Sequence, residues 1–105
     1  MQLETTFRGL SPADSGNATR MLEKHVARFD RLIEEPSTLR AVIDGSPEFK
    51  VTLSLNLRRG ELAASSSTHE IHEAVAQACE KLKTQIVRYR HRHEADRHRP
   101  AVTPT

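Results

Sequence analysis

From Phe49 to Leu57 every second residue is apolar: Phe49, Val51, Leu53, Leu55 and Leu57. Lys50, Thr52, Ser54 and Asn56 fill the gaps, and Arg58 continues the polar set. Successive side chains of a strand point to opposite faces, so strict alternation requires a sheet with one packed side and one open side. The packed side needs a cover, and the flanking sequence supplies two helical patterns to provide it.

The other elements follow from the same kind of reading. Leu3, Thr5 and Phe7 alternate with Gln2, Glu4, Thr6 and Arg8, which predicts a half-buried first strand. Ser11-Pro12-Ala13-Asp14 offers a helix cap, a first-turn proline and an early acid. Gly16 weakens so early a start and leaves Asp14 as the alternative cap. Ala18, Met21, Leu22, Val26, Phe29, Leu32 and Ile33 then recur at helical spacing until Pro36. Leu39, Ala41 and Ile43 form a second alternating stretch, and Asp44-Gly45-Ser46-Pro47 is a turn signal.

Arg59-Gly60 turns the chain into a short fourth strand around 61–66. Ser67-Thr68-His69-Glu70 fits a capping box, with Ser67 as cap and Glu70 reaching back, ahead of a helix running to about Arg92 or beyond. The order β-α-β-β-β-α predicts an α+β two-layer sandwich, a four-stranded sheet with both helices packed on one face. Strands one and two pair in parallel through a right-handed crossover, and strands two to four form an antiparallel meander. The expected division is one domain over 1–93 and a basic, then Pro/Thr-containing, flexible tail over 94–105.

Charge is distributed unevenly over this frame. The formal net charge is +2, from 16 Lys/Arg and 14 Asp/Glu. Residues 81–99, KLKTQIVRYRHRHEADRHR, hold seven of the bases and two of the acids, leaving nine bases and twelve acids elsewhere. A polyanion is the common partner of such a basic run. At roughly 100° per residue, Ile71, Val75, Ala78, Cys79, Leu82, Ile86 and Tyr89 form a buried stripe. Lys81, Gln85, Arg88 and Arg92 form a column on one edge of it, and Lys83 and Arg90 lie on the opposite edge. Arg28 occupies one flank of the first helix, and if that flank faces the second helix the two build one positive ridge. The competing reading is a solvated, partly self-paired helix surface. The polar strand residues Thr52, Ser54 and Asn56 offer hydrogen bonds suited to ribose and phosphate.

Catalytic and metal patterns are wanting. The six histidines match no ligand spacing, and a zinc site needs three or four converging ligands. His91 and His93 read instead as further phosphate donors. Cys79 reads as a small core residue, and Ser65-Ser66-Ser67 as edge strand plus cap. With no phosphate loop and no triad, an enzyme is not expected, and no cofactor or metal. The lone cysteine, the lack of a signal-like N-terminus and the lack of an apolar run near ~18–20 residues point to a soluble, cytoplasmic protein with no membrane partner.

The opening Met1-Gln2-Leu3, the element order, Gly60-Glu61-Leu62-Ala63-Ala64-Ser65 leading into Glu70-Ile71-His72-Glu73-Ala74-Val75, and Lys81-Leu82-x-x-Gln85-x-x-Arg88-x-Arg90-x-Arg92 resemble the ribosome hibernation promoting factors. That family includes the ribosome-associated inhibitors, formerly sigma-54 modulation proteins. The resemblance covers about residues 1–93. His72 and Ala76 stand where the family usually has a tyrosine and an aspartate.

The resemblance implies binding to the small ribosomal subunit and its rRNA, in the channel used by messenger and transfer RNA, during nutrient stress. Translation would be blocked by occupancy, without catalysis and with no DNA partner expected. Lys81, Arg88 and Arg92 carry over best as RNA-binding residues, then Lys83, Arg90 and Arg28. The resemblance also implies a short form without the self-dimerisation domain of the family's long members. Two other classes fit the same residues: a protein-interaction module and a general binder of structured RNA.

Overall fold

The computed structural model describes residues 1–98 of the chain, with side chains as far as Arg92. The elements are β1 (Gln2–Arg8), α1 (Pro12–Leu32), β2 (Thr38–Asp44), β3 (Phe49–Leu57), β4 (Gly60–Thr68) and α2 (Ile71–His98). They form one four-stranded sheet in the order β1-β2-β3-β4, with β1 parallel to β2 and the other pairs antiparallel. This is the expected α+β sandwich. The part of the expected 94–105 tail after His98 lies outside the described residues.

The register explains the core. Leu3, Leu39, Leu55 and Leu62 form one row across the inner face, and Phe7, Ile43, Val51 and Ser66 another. Against these rows lie Ala18, Leu22 and Phe29 of α1 and Ile71, Val75, Ala78, Leu82 and Ile86 of α2, all buried. Each large side chain so enclosed contributes ~1.5–3 kcal/mol relative to exposure, which outweighs the weak helix preference of the β-branched residues. α2 covers β3 and β4, whereas α1 leans on β1 and on α2.

Both helix starts have identifiable caps. Ser11 caps α1: its Oγ accepts from the Asp14 N–H at 3.1 Å, with Pro12 in the first turn. The expected capping box at Ser67 is not formed. Ser67 pairs with Lys50 inside the β3–β4 ladder, so its backbone is committed to the sheet. Glu70 is the cap, its carboxylate accepting from the N–H groups of His72 at 3.0 Å and Glu73 at 3.1 Å. A long carboxylate satisfies the same orphan donors a serine would, and adds negative charge at the positive end of the helix.

Side-chain hydrogen bonds tie α2 to its surroundings. Tyr89 donates its hydroxyl to Glu35 Oε2 at 3.0 Å, while Glu35 Oε1 accepts the N–H of Arg58, so one carboxylate joins the α1–β2 loop, the β3–β4 hairpin and α2. Lys81 Nζ donates to the Ser65 carbonyl at 2.9 Å, and Gln85 Nε2 donates to the Ala63 carbonyl. The i,i+4 rise of a helix, ~6 Å, nearly equals a two-residue step of a strand, ~6.8 Å, so one helix flank can reach alternate carbonyls of an edge strand. At the other end of the sheet Gly9, at φ 66°, packs under Gly45.

Candidate nucleic-acid interface

The topology sets two helices side by side. β1 and β4 point the same way, and each is followed by a helix that returns over the inner face, so α1 and α2 run in the same direction. A cleft of ≈ 260 Å³ separates them, with Phe29, Leu32 and Cys79 in its floor. Arg28 and Arg31 of α1 face Lys83 of α2 across it, with His25 and Glu80 alongside. A second groove shares Glu80 and Lys83 and continues past Thr84 and Val87 to Arg88. The flank of α1 bearing Arg28 therefore does face the second helix.

The six residues expected to bind RNA are all exposed, on two flanks of α2 and one of α1. Lys83 and Arg28 meet at the cleft. Arg90 lies further along the Lys83 flank. Arg88 and Arg92 project from the Lys81 column. Lys81 is tethered to the Ser65 carbonyl, which uses one of its three ammonium donors and fixes its position at the β4 edge. Among the described residues no carboxylate lies within ion-pair distance of Lys81, Lys83, Arg88, Arg92 or Arg28. His91 is exposed, and the His93 side chain lies outside the described residues.

The other face of the sheet behaves differently. Arg40 pairs with Glu4 at 3.0 Å and Arg8 with Asp44 at 3.9 Å, so its charges largely cancel. Thr52 and Asn56 are exposed there, on the side opposite the helices. A rigid partner lying on the helical ridge cannot also meet them, so these strand residues do not extend the basic surface.

Sequence reading alone missed Arg31, His25 and Glu80 as members of the cleft. Arg28 and Arg31 share the i,i+3 spacing of one helix face, but the opposing residues, Glu80 and Lys83, lie about fifty positions further along the chain. The cationic setting is visible in His25. Burial first, then Arg28, holds its imidazole below the ordinary value, with Lys83 adding to the effect and Glu80 opposing it.

The remaining reactive groups are inert. Burial pushes the Cys79 thiol up to about 12, so it carries almost no thiolate at neutral pH. Ser66 donates its hydroxyl to Gln77 Oε1 at 2.7 Å. Among the described residues no three His, Cys, Asp or Glu side chains converge as a metal site would require. No described helix is long and apolar enough to cross a membrane.

The chain is a small α+β sandwich whose helical face gathers cations and whose sheet-face charges pair with one another. The chain belongs to the sigma 54 modulation protein / S30EA ribosomal protein family, whose match spans residues 5–94. That family consists of ribosome-associated factors, not enzymes. The fold is similar to that of the Protein Y N-terminal domain of Thermus thermophilus, with TM-score 0.72 and 21% identity over 85% of this chain and 99% of that one. A ribosomal subunit interface protein from Coxiella burnetii is similar too, with TM-score 0.63 and 20% identity over 85% and 97%. No curated protein sequence matches the chain.

Proposed function

We propose that this chain is a hibernation factor that binds the small ribosomal subunit in its messenger and transfer RNA channel and blocks translation by occupying it under stress. The ridge formed by α1 and α2 lies against ribosomal RNA backbone, with Arg28, Lys83, Arg88, Arg90 and Arg92 as phosphate contacts and Lys81 as a tethered one. The observation that carries this reading is the gathering of Arg28, Lys83, Arg88 and Arg92 on the helical face, exposed and with no described carboxylate within ion-pair distance, set against the paired charges of the sheet face. Structured RNA is read mainly by shape and by phosphate and 2′-hydroxyl contacts, which a rigid two-helix surface can make without base recognition. Membership in a family of ribosome-associated factors supports the choice of partner. The protein then works in the cytoplasm, as a non-catalytic wedge.

Co-sedimentation with purified small subunits tests the proposal. Lys83→Glu combined with Arg88→Glu is expected to abolish binding while the thermal unfolding midpoint stays within a few degrees of wild type, since both side chains are solvent-exposed. Full-length transfer RNA should compete with the wild-type chain. Undiminished binding by the double variant would overturn the ridge as the contact surface. Affinity indifferent to salt would point instead to a protein-docking surface.

A further inference from the structure

The cleft between α1 and α2 has a composition that a plain phosphate contact does not explain. Its floor is apolar, closed by the buried Phe29 ring. The His25 ring stands beside it, centroids 6.1 Å apart and tilted by 33°. Arg28 and Arg31 on one wall and Lys83 on the other supply positive charge, but Glu80 sits among them. A carboxylate there repels a bare anion. It is an asset only to a ligand that brings hydrogen-bond donors as well as negative charge. At ≈ 260 Å³ the cleft falls just below the ~300–1,000 Å³ of pockets for drug-sized molecules, so it suits one planar ring system with its substituent outside.

A nucleotide meets each of these conditions. Unstacked bases rest on aromatic rings and guanidinium planes, and their edges hydrogen-bond to polar side chains. A carboxylate prefers the edge with two adjacent donors. Guanine offers N1–H beside its N2 amino group. Adenine and cytosine place one amino group next to a ring acceptor, and uracil sets its single N–H between two carbonyls. We propose that the interhelical cleft binds one guanosine 5′-phosphate unit, its ring against the half-buried His25 imidazole, its donor edge on Glu80, and its phosphate on Arg28 and Lys83. The adjoining groove, which leads from Lys83 past Val87 to Arg88, carries the chain onward if the unit belongs to a strand. The inference deepens the RNA-facing reading of the same ridge and rests on it only for the natural source of the nucleotide, a single-stranded RNA or free in solution.

The test uses the full chain and amide chemical-shift titration. The probes are GMP, AMP, inorganic phosphate, and five-residue oligoribonucleotides with a central G or a central A. GMP is expected to shift the amides of 25–32 and 79–83 and to bind at least about fivefold more tightly than AMP, as a bidentate edge contact implies. Phosphate should bind more weakly than either. Glu80→Gln should bring GMP down to the level of AMP, and Arg28→Ala should weaken both. Both side chains are exposed, so neither change threatens the fold.

A G-containing oligomer about tenfold tighter than GMP assigns the site to a strand, since the second groove adds contacts; GMP equal to or tighter than the oligomer assigns it to a free nucleotide. Equal affinity for GMP, AMP and phosphate, shifts confined to other residues, or a guanine preference that survives Glu80→Gln would each overturn the cleft assignment. Salt-sensitive subunit binding that persists alongside such a result would leave the ridge reading standing. The two failures are therefore distinguishable.

Discussion

At the scale of single residues, His25 reports the electrostatics of the cleft. Its ring is half-buried and faces Arg28, Lys83 and Glu80. Its pKa is lowered by burial first and by Arg28 next, so between the folded value and the ordinary 6.5 the unfolded chain binds the extra proton. His25 thus contributes stability that is complete above 6.5 and is lost as the pH falls through the lowered folded value. Thermal unfolding of His25→Gln should vary less than wild type between about pH 5 and 7. A steeper dependence in the variant would show the sign to be wrong.

Gly45 makes a different, purely steric demand. A Cβ there would run into the Gly9 carbonyl, whereas one at Gly16 in α1 would meet only the end of the Arg20 side chain at 3.9 Å. Gly45→Ala should therefore cost ~1–3 kcal/mol by overpacking. Gly16→Ala should gain ~0.5–1 kcal/mol, because alanine favours a helix interior. Urea unfolding of the pair measures both, and equal effects at the two sites would contradict the packing argument.

At the scale of elements, α2 does several jobs along one length. Its 28 residues rise ~42 Å, against ~30 Å for the nine-residue strands it covers. The buried stripe ends near Ile86, with Tyr89 held by Glu35. Its start depends on Glu70, and Glu70→Ala is expected to lower the denaturant midpoint of unfolding, because the N–H groups of His72 and Glu73 lose their acceptor. No change on that substitution would mean the cap is redundant.

The strands and the helix stripes were legible in the sequence because period 2 and period 3.6 are written directly into the spacing of Val51, Leu53 and Leu55 and of Leu22, Phe29, Leu82 and Ile86. The α2 cap was misread because Ser67 and Glu70 fit a capping box equally well as a strand end and its successor; only the pairing of Ser67 with Lys50 decides between them. The cleft was not legible in its full membership. Arg28 and Lys83 were named from their helical flanks, but the positions of Arg31, His25 and Glu80 depend on how α1 and α2 slide past each other, which packing sets and periodicity does not.

At the scale of the whole molecule, the two faces of the sandwich differ in charge. The sheet face pairs Arg40 with Glu4 and Arg8 with Asp44 and is close to neutral. The helical face gathers Arg28, Arg31, Lys83, Arg88 and Arg92 with Glu80 as the acid in the cleft. Lys81 and Gln85, by holding the Ser65 and Ala63 carbonyls, also blunt the β4 edge against pairing with another chain, a common use of edge lysines. One flank of α2 thus closes the sheet at β4, while the opposite flank, bearing Lys83, opens onto the interhelical cleft.

The most direct test is the salt dependence of binding to small ribosomal subunits by the wild-type chain. Each phosphate contact adds ~0.7–0.9 to the slope of log affinity against log salt, so about five contacts should weaken binding by a hundredfold or more between ~50 and ~200 mM salt. Lys83→Glu with Arg88→Glu should remove binding even at the lower salt. Affinity that hardly changes across that range, or that survives the double charge reversal, would contradict a phosphate-led ridge.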